Sequence, residues 1–176
     1  MKRLLLLISL CFLLPMLPAS AQDDDALVQR ILEANMPSTL QASWHQEKQS
    51  SLLTEVLVSD GAVYLQQPDR FRWEVRQPVQ KLTVFDGETP RGRFRLPSVR
   101  DFTAQVMEDG QMYSVLLVPI RRDLKQFFRQ ISITVKKENL EIVSALLITP
   151  EGDWTRLSFS NFQRNIPLDE ALFKKP

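Results

Sequence analysis

Gly61-Ala62-Val63-Tyr64-Leu65-Gln66-Gln67-Pro68-Asp69-Arg70-Phe71-Arg72-Trp73-Glu74-Val75-Arg76 is the stretch whose reading decides the fold. Phe71, Trp73 and Val75 alternate with Arg70, Arg72, Glu74 and Arg76, and Val63 and Leu65 follow Gly61 in the same period. Successive side chains of a strand point to opposite faces, so the alternation describes strands with one apolar and one charged face. Downstream, Leu82 and Val84 lead into Asp86-Gly87, a strong hairpin-turn signal. Upstream, Leu40, Ala42 and Trp44 alternate with Gln41, Ser43 and His45. Residues 112–118 read as a more uniformly apolar strand, and Ile131, Ile133 and Val135 alternate with Ser132, Thr134 and Lys136. A turn at Glu138-Asn139, a strand over 140–148, a turn at Glu151-Gly152-Asp153 and a strand through Thr155, Leu157 and Phe159 complete the series.

A run of such strands predicts an antiparallel sheet wet on one side, and its apolar side must be covered by closure or by helices. Helical material is sparse. Leu27, Ile31 and Leu32 follow the acidic Asp23, Asp24 and Asp25, which suit the positive N-terminal end of a short helix closed by Pro37. Short helices are expected over 122–128 and 168–172. The expected fold is therefore α+β, an antiparallel sheet curled into an incomplete, half-open β-barrel with a few covering helices. Its apolar face is expected to include Trp44, Val63, Leu65, Phe71, Trp73, Val75, Leu157 and Phe159. Periodicity alone does not separate a hollow lined by these residues from a filled core.

The first 21 residues read as a secretory leader. Lys2 and Arg3 form a positive start, residues 4–14 are unbroken apolar sequence, and Ala19-Ser20-Ala21 offers the small side chains of a cleavage site. The apolar run falls well short of the roughly 20 residues that span a bilayer. Cleavage after Ala21 is expected, leaving one domain over 22–176. That domain is long enough to bury about 68–70% of its unfolded surface. Losing Lys2 and Arg3 moves the formal charge from +1 to −1. A nucleic-acid binder normally shows a strong basic excess, so none is expected here. Cys11 leaves with the leader, so the mature chain has no thiol for disulfides, catalysis or metal binding.

Enzyme signatures are missing. His45 is the single histidine and falls by alternation on the polar face, where a solvated imidazole is the ordinary reading. The five glycines stand alone, without a phosphate-cradling or dinucleotide pattern, and no cofactor is expected. The basic stretches at 91–95 and at Arg121-Arg122 fit anionic lipid head groups, an acidic partner or a plain solvated face, with Asp101, Glu108 and Asp123 diluting their charge.

The segment from Gly61 through Pro68, Phe71 and Trp73 to Gln77-Pro78 and Phe85-Asp86-Gly87 resembles the LolA family of periplasmic outer-membrane lipoprotein carrier proteins. The shared pattern is a glycine, an alternating strand, a proline, two aromatics spaced by one residue and an Asp-Gly turn. The C-terminal part, from Gly152-Asp153-Trp154 to Asn165, Pro167, Leu168 and Phe173, looks like LolA-like variants found with aryl-polyene and fatty-acid-type pathways. The resemblance covers most of the mature chain. It implies a non-enzymatic carrier or chaperone in the periplasm of a Gram-negative bacterium, with a lid of helices over the half-barrel. Acyl chains of a lipoprotein or other lipidic cargo would lie in an apolar cavity, with Phe71 and Trp73 where the family places cavity-lining aromatics. An inner-membrane donor, an outer-membrane acceptor and a monomeric state are implied with it. Two departures stand out. Gln67 occupies the place before the proline where family carriers commonly use an arginine to hold the lid shut, and the stretch over 89–108 looks short of a strand and a lid helix. A second reading on the same fold is a regulatory domain that senses lipid or binds a peptide.

Overall fold

A computed structural model of the chain describes residues 20–87 and 98–174. Most of the expected leader and the basic stretch at 91–95 lie outside the described residues. The elements run α1 (Ser20–Ala34), β1 (Thr39–Gln49), β2 (Leu57–Gln66), β3 (Arg70–Gln77), β4 (Lys81–Asp86), β5 (Phe102–Asp109), β6 (Met112–Pro119), α2 (Arg122–Lys125), β7 (Gln130–Lys136), β8 (Ile142–Ile148) and β9 (Trp154–Arg164). Short 3-10 turns occupy Val99–Asp101 and Glu170–Phe173.

The strands form one antiparallel sheet in the order β4-β3-β2-β1-β9-β8-β7-β6-β5. β1 to β4 make one meander and β5 to β9 another, and the long-range pairing of β1 with β9 welds the two. β4 and β5 are its two edges, so the sheet is open, as the incomplete barrel required. Register shifts between Gln41 and Ser43, Asp60 and Gly61, and Thr134 and Val135 mark bulges, the usual device for curving a sheet.

Register shows why the alternation matters. Leu40, Ala42 and Trp44 of β1 stand opposite Leu65, Val63 and Gly61 of β2, which in turn oppose Phe71, Trp73 and Val75 of β3. On the other side Trp44 meets Phe159, and Leu157 meets Ala145. The same face continues through Ile133, Val115 and Val106 of β7, β6 and β5. α1 lies over that far half, burying Val28 and Ile31 against Phe102, Ala104, Val115, Leu117 and Val135. Each such aliphatic contributes about 1.5–3 kcal/mol by leaving water. On the opposite face, Ala62 and Tyr64 are covered by Leu168, Leu172 and Phe173.

Four elements differ from the sequence reading. The stretch over 89–108 does hold a strand, β5, whose Phe102, Ala104 and Val106 alternate with Thr103, Gln105 and Met107. The helix expected over 122–128 is one turn, without a side-chain cap or a buried residue to hold it longer. The strand expected from Leu140 begins at Ile142, because Leu140 takes a left-handed φ of 57° in the turn between β7 and β8. The helix expected over 168–172 is a 3-10 turn, whose Asp169 side chain accepts from Ala171 N at 2.9 Å.

Candidate functional site

Seven of the eight residues expected on the apolar face gather in one cluster, where buried Ala42, Trp44 and Val63 pack with Phe71, Trp73, Val75, Leu157, Phe159 and Phe162. Leu65 is buried one cross-strand pair further along, opposite Phe71 and outside that cluster. The indoles of Trp44 and Trp73 stack with centroids 4.5 Å apart, and Phe71 lies 6.3 Å from Trp73. Gly61 makes this stacking possible. A Cβ there would stand 2.4 Å from Cζ2 of Trp44 and 1.8 Å from the Glu74 carbonyl oxygen. Trp44 Nε1 is buried without a hydrogen-bond partner, an uncommon state for an indole.

A cavity of about 390 Å³ opens between α1 and the strands β5 to β7, in the other half of the sheet. Val28, Leu32 and Met36 of the helix side face Phe102, Leu117, Ile131 and Ile133 of the sheet, with Gln29, Glu33 and Ser98 as its polar members. None of the eight expected residues borders it; they lie on the same sheet face, across β8 from it. The signal in the sequence was the helix itself. Leu27, Val28, Ile31 and Leu32 make a stripe broad enough to pack with one edge and line a hollow with the other.

α1 is held at both ends by polar contacts that periodicity does not reveal. Val106 N donates to Asp24 Oδ2 at 3.1 Å. Asn35 donates through Nδ2 to the Leu140 carbonyl at 2.7 Å and accepts from Ile142 N at 3.1 Å, so one side chain joins the helix end to the β7–β8 hairpin. The Gln67 amide donates to the Met36 carbonyl just beyond the helix. Gln67, directly after β2, thus ties that end of the strand to the chain just beyond α1. Nearby, Glu141 is buried and receives Lys136 Nζ at 3.0 Å and Arg164 at 2.9 Å. Burial opposes its ionisation, but those two cations outweigh burial and hold its carboxyl below the usual glutamate range.

On the other face, His45 Nδ1 lies 2.7 Å from Asp60 Oδ1, and both side chains are about half exposed. Arg72 departs from the expectation of a solvated charge. It donates to the Leu172 carbonyl at 2.9 Å and lies 3.5 Å from Glu74, with its side chain 18% exposed, because the C-terminal segment lies across β3. Among the described residues no group of three or more His, Cys, Asp or Glu could hold a metal. The arrangement can take up apolar matter.

The family model described as outer membrane lipoprotein carrier protein LolA matches residues 35–90. Outer-membrane lipoprotein carrier proteins of Yersinia pestis and Yersinia pseudotuberculosis are 27% identical over 164 residues, covering 86% of this chain and 77% of theirs. Among solved structures, MucB of Pseudomonas aeruginosa in its complex with MucA aligns over 87% of this chain and 61% of its own, with a TM-score of 0.56 and 11% identity. The chain therefore spans about three fifths of MucB. An uncharacterized conserved protein of Thermus thermophilus aligns over 85% of this chain and 94% of its own, with a TM-score of 0.55 and 16% identity. The carrier match contains the Gly61 to Gly87 pattern, and the solved structures share the fold, so the chain is similar to the LolA carriers in sequence over that segment and to these structures in fold.

Proposed function

We propose that the chain is exported through its leader to the periplasm of a Gram-negative bacterium and there carries a lipoprotein or other lipidic cargo between the inner and outer membranes. The observation that carries this reading is the apolar hollow under α1, whose 390 Å³ would hold on the order of a dozen methylene-sized groups at about 30 Å³ each. Each methylene taken from water contributes about 0.8 kcal/mol, so one chain segment of that size supplies on the order of 10 kcal/mol. In this reading Trp44, Val63, Leu65, Phe71, Trp73, Val75, Leu157 and Phe159 extend the apolar face for chain that the hollow does not take. α1 acts as the lid, with Asn35 and Gln67 at its closing end. The protein works as a monomer, without a cofactor, and receives cargo from an inner-membrane donor for an outer-membrane acceptor.

Ile133→Trp tests the site. An indole placed in a hollow displaces ligand and leaves stability nearly unchanged, whereas in a filled core the added volume costs about 1–3 kcal/mol. The expected result is at least a tenfold loss of affinity for an apolar fluorescent probe, with an unchanged thermal melt. Native mass spectrometry of the exported protein should show co-purifying lipid. Unaltered probe affinity in Ile133→Trp overturns the cavity assignment, and a bound peptide in place of lipid supports a sensing domain on this fold.

A further inference from the structure

The exposed apolar side chains of this protein are not scattered. Among the described residues ten large apolar side chains are exposed, and nine of them sit at one end of the sheet. That end is where Gln49 faces Trp154, Ile148 faces Gln130 and Pro119 faces Phe102. The β1–β2 hairpin contributes five, with Leu52 at its tip 90% exposed. Val79 projects from the β3–β4 turn at 74%, and Ile120 and Phe127 flank α2 at 53% and 63%. Met107 alone lies towards the other end.

The hairpin tip is built to hold its position. Ser50 Oγ donates to Asp153 Oδ2 and Ser51 N to Asp153 Oδ1, each at 2.8 Å, while Leu53 N closes the turn on the Ser50 carbonyl at 3.0 Å. The leucines are therefore presented on a braced turn.

Charge follows the same edge. From Ile120 to Gln130 the chain carries Arg121, Arg122, Lys125 and Arg129 against the single acid Asp123. Arg121 is engaged by Asp123 and Asp101, whereas Arg122, Lys125 and Arg129 are exposed beside Ile120 and Phe127. Apolar tips on three separate loops, with exposed cations beside those of the β6–β7 loop, match a surface that is apolar below and anionic above. A fluid apolar phase needs no shape match, whereas a protein interface needs close complementary packing at its core.

We infer that this end of the sheet docks on an anionic lipid bilayer, its apolar tips entering the head-group region and Arg122, Lys125 and Arg129 meeting lipid phosphates. The placement is productive, because Phe102, Leu117 and Ile131 of the hollow lie within two residues of these same strand ends. Docking goes beyond the carrier reading and does not require cargo.

The experiment is co-sedimentation of the exported, processed chain with vesicles of phosphatidylethanolamine and phosphatidylglycerol in equal parts, and with vesicles of phosphatidylcholine alone. The native chain should bind the anionic vesicles. The variant carrying Leu52→Ser, Leu53→Ser and Phe127→Ser should bind at least tenfold more weakly, with an unchanged thermal melt, and Met107→Ser should bind as the native chain does. Arg122→Ser with Lys125→Ser should weaken binding to the anionic vesicles only. Ile133→Trp should bind vesicles normally, which separates a failure of docking from a failure of the carrier reading. Absence of binding by the native chain overturns the inference, as does full binding by the triple variant or an equal loss in Met107→Ser.

Discussion

Gly61 and Glu141 are single residues on which packing and charge turn. Gly61 has no left-handed φ to explain it; its reason is proximity, since the Trp44 indole and the Glu74 carbonyl occupy the place of a Cβ. Gly61→Ala must displace backbone as well as a ring, and should cost about 3 kcal/mol, the upper end for overpacking. Urea unfolding measures it, and a loss below about 0.5 kcal/mol, the range of a surface change, would contradict the stacking argument. Glu141 brings a pH dependence. Because its carboxyl is held below the usual range in the fold, its contribution is present above the unfolded-state pKa and is lost as pH falls through the folded-state value. Glu141→Gln should therefore cost about 2 kcal/mol near neutrality, as for hydrogen bonds to charged groups. It should also flatten the acid side of the stability profile, so a native and a variant profile of the same slope below pH 4.5 would remove Glu141 from the account.

At the scale of elements, α1 is placed by side-chain amides as well as by its apolar stripe. Val28 and Ile31 hold α1 down, but the polar groups at its end determine where it stops: Asn35 spans the helix end and the β7–β8 hairpin. Asn35→Ala removes both hairpin bonds and the bond from Nδ2 to the Ile31 carbonyl. A cost of about 2 kcal/mol is expected, at roughly 1 kcal/mol per net bond with partial replacement by water. Hydrogen exchange should show it locally, with α1 amides exchanging at least tenfold faster while the β1–β9 pairing stays protected. Equal acceleration in both places would mean that Asn35 supports the whole fold and not α1 in particular. Strand β5 was legible by its alternation, yet it stands beyond a proline- and arginine-rich stretch, where the reading expected a shortened sheet.

Across the whole molecule one apolar face does two jobs. In the half around Trp44 it packs on itself; in the half under α1 it leaves a hollow. Truncations in the two halves should therefore differ. Trp73→Ala removes a stacked ring and should cost about 3–5 kcal/mol. Leu32→Ala, at the border of the hollow, should cost less than the roughly 2 kcal/mol at which buried leucine truncations begin, and should lower probe affinity. Thermal melts and probe titrations of both variants decide it, and equal stability losses would show that the half under α1 is packed.

The sequence by itself determined the strand pattern, which side of each strand is apolar, the sparse helices and hence an open antiparallel sheet. These follow from local periodicity, because a residue's face in a strand depends only on its neighbours at one and two removes. It also carried the Gly61 to Gly87 pattern on which the LolA likeness rests. Only the tertiary structure decided that a hollow lies under α1, that Arg72 is covered by the C-terminal segment, and that exposed apolar residues from three loops share one end of the sheet. Those facts depend on the pairing of β1 with β9, more than 100 positions apart, as Trp44 with Phe159 shows. Local periodicity is blind to such contacts, because which distant segments meet is settled by register and by the total apolar area the fold can bury.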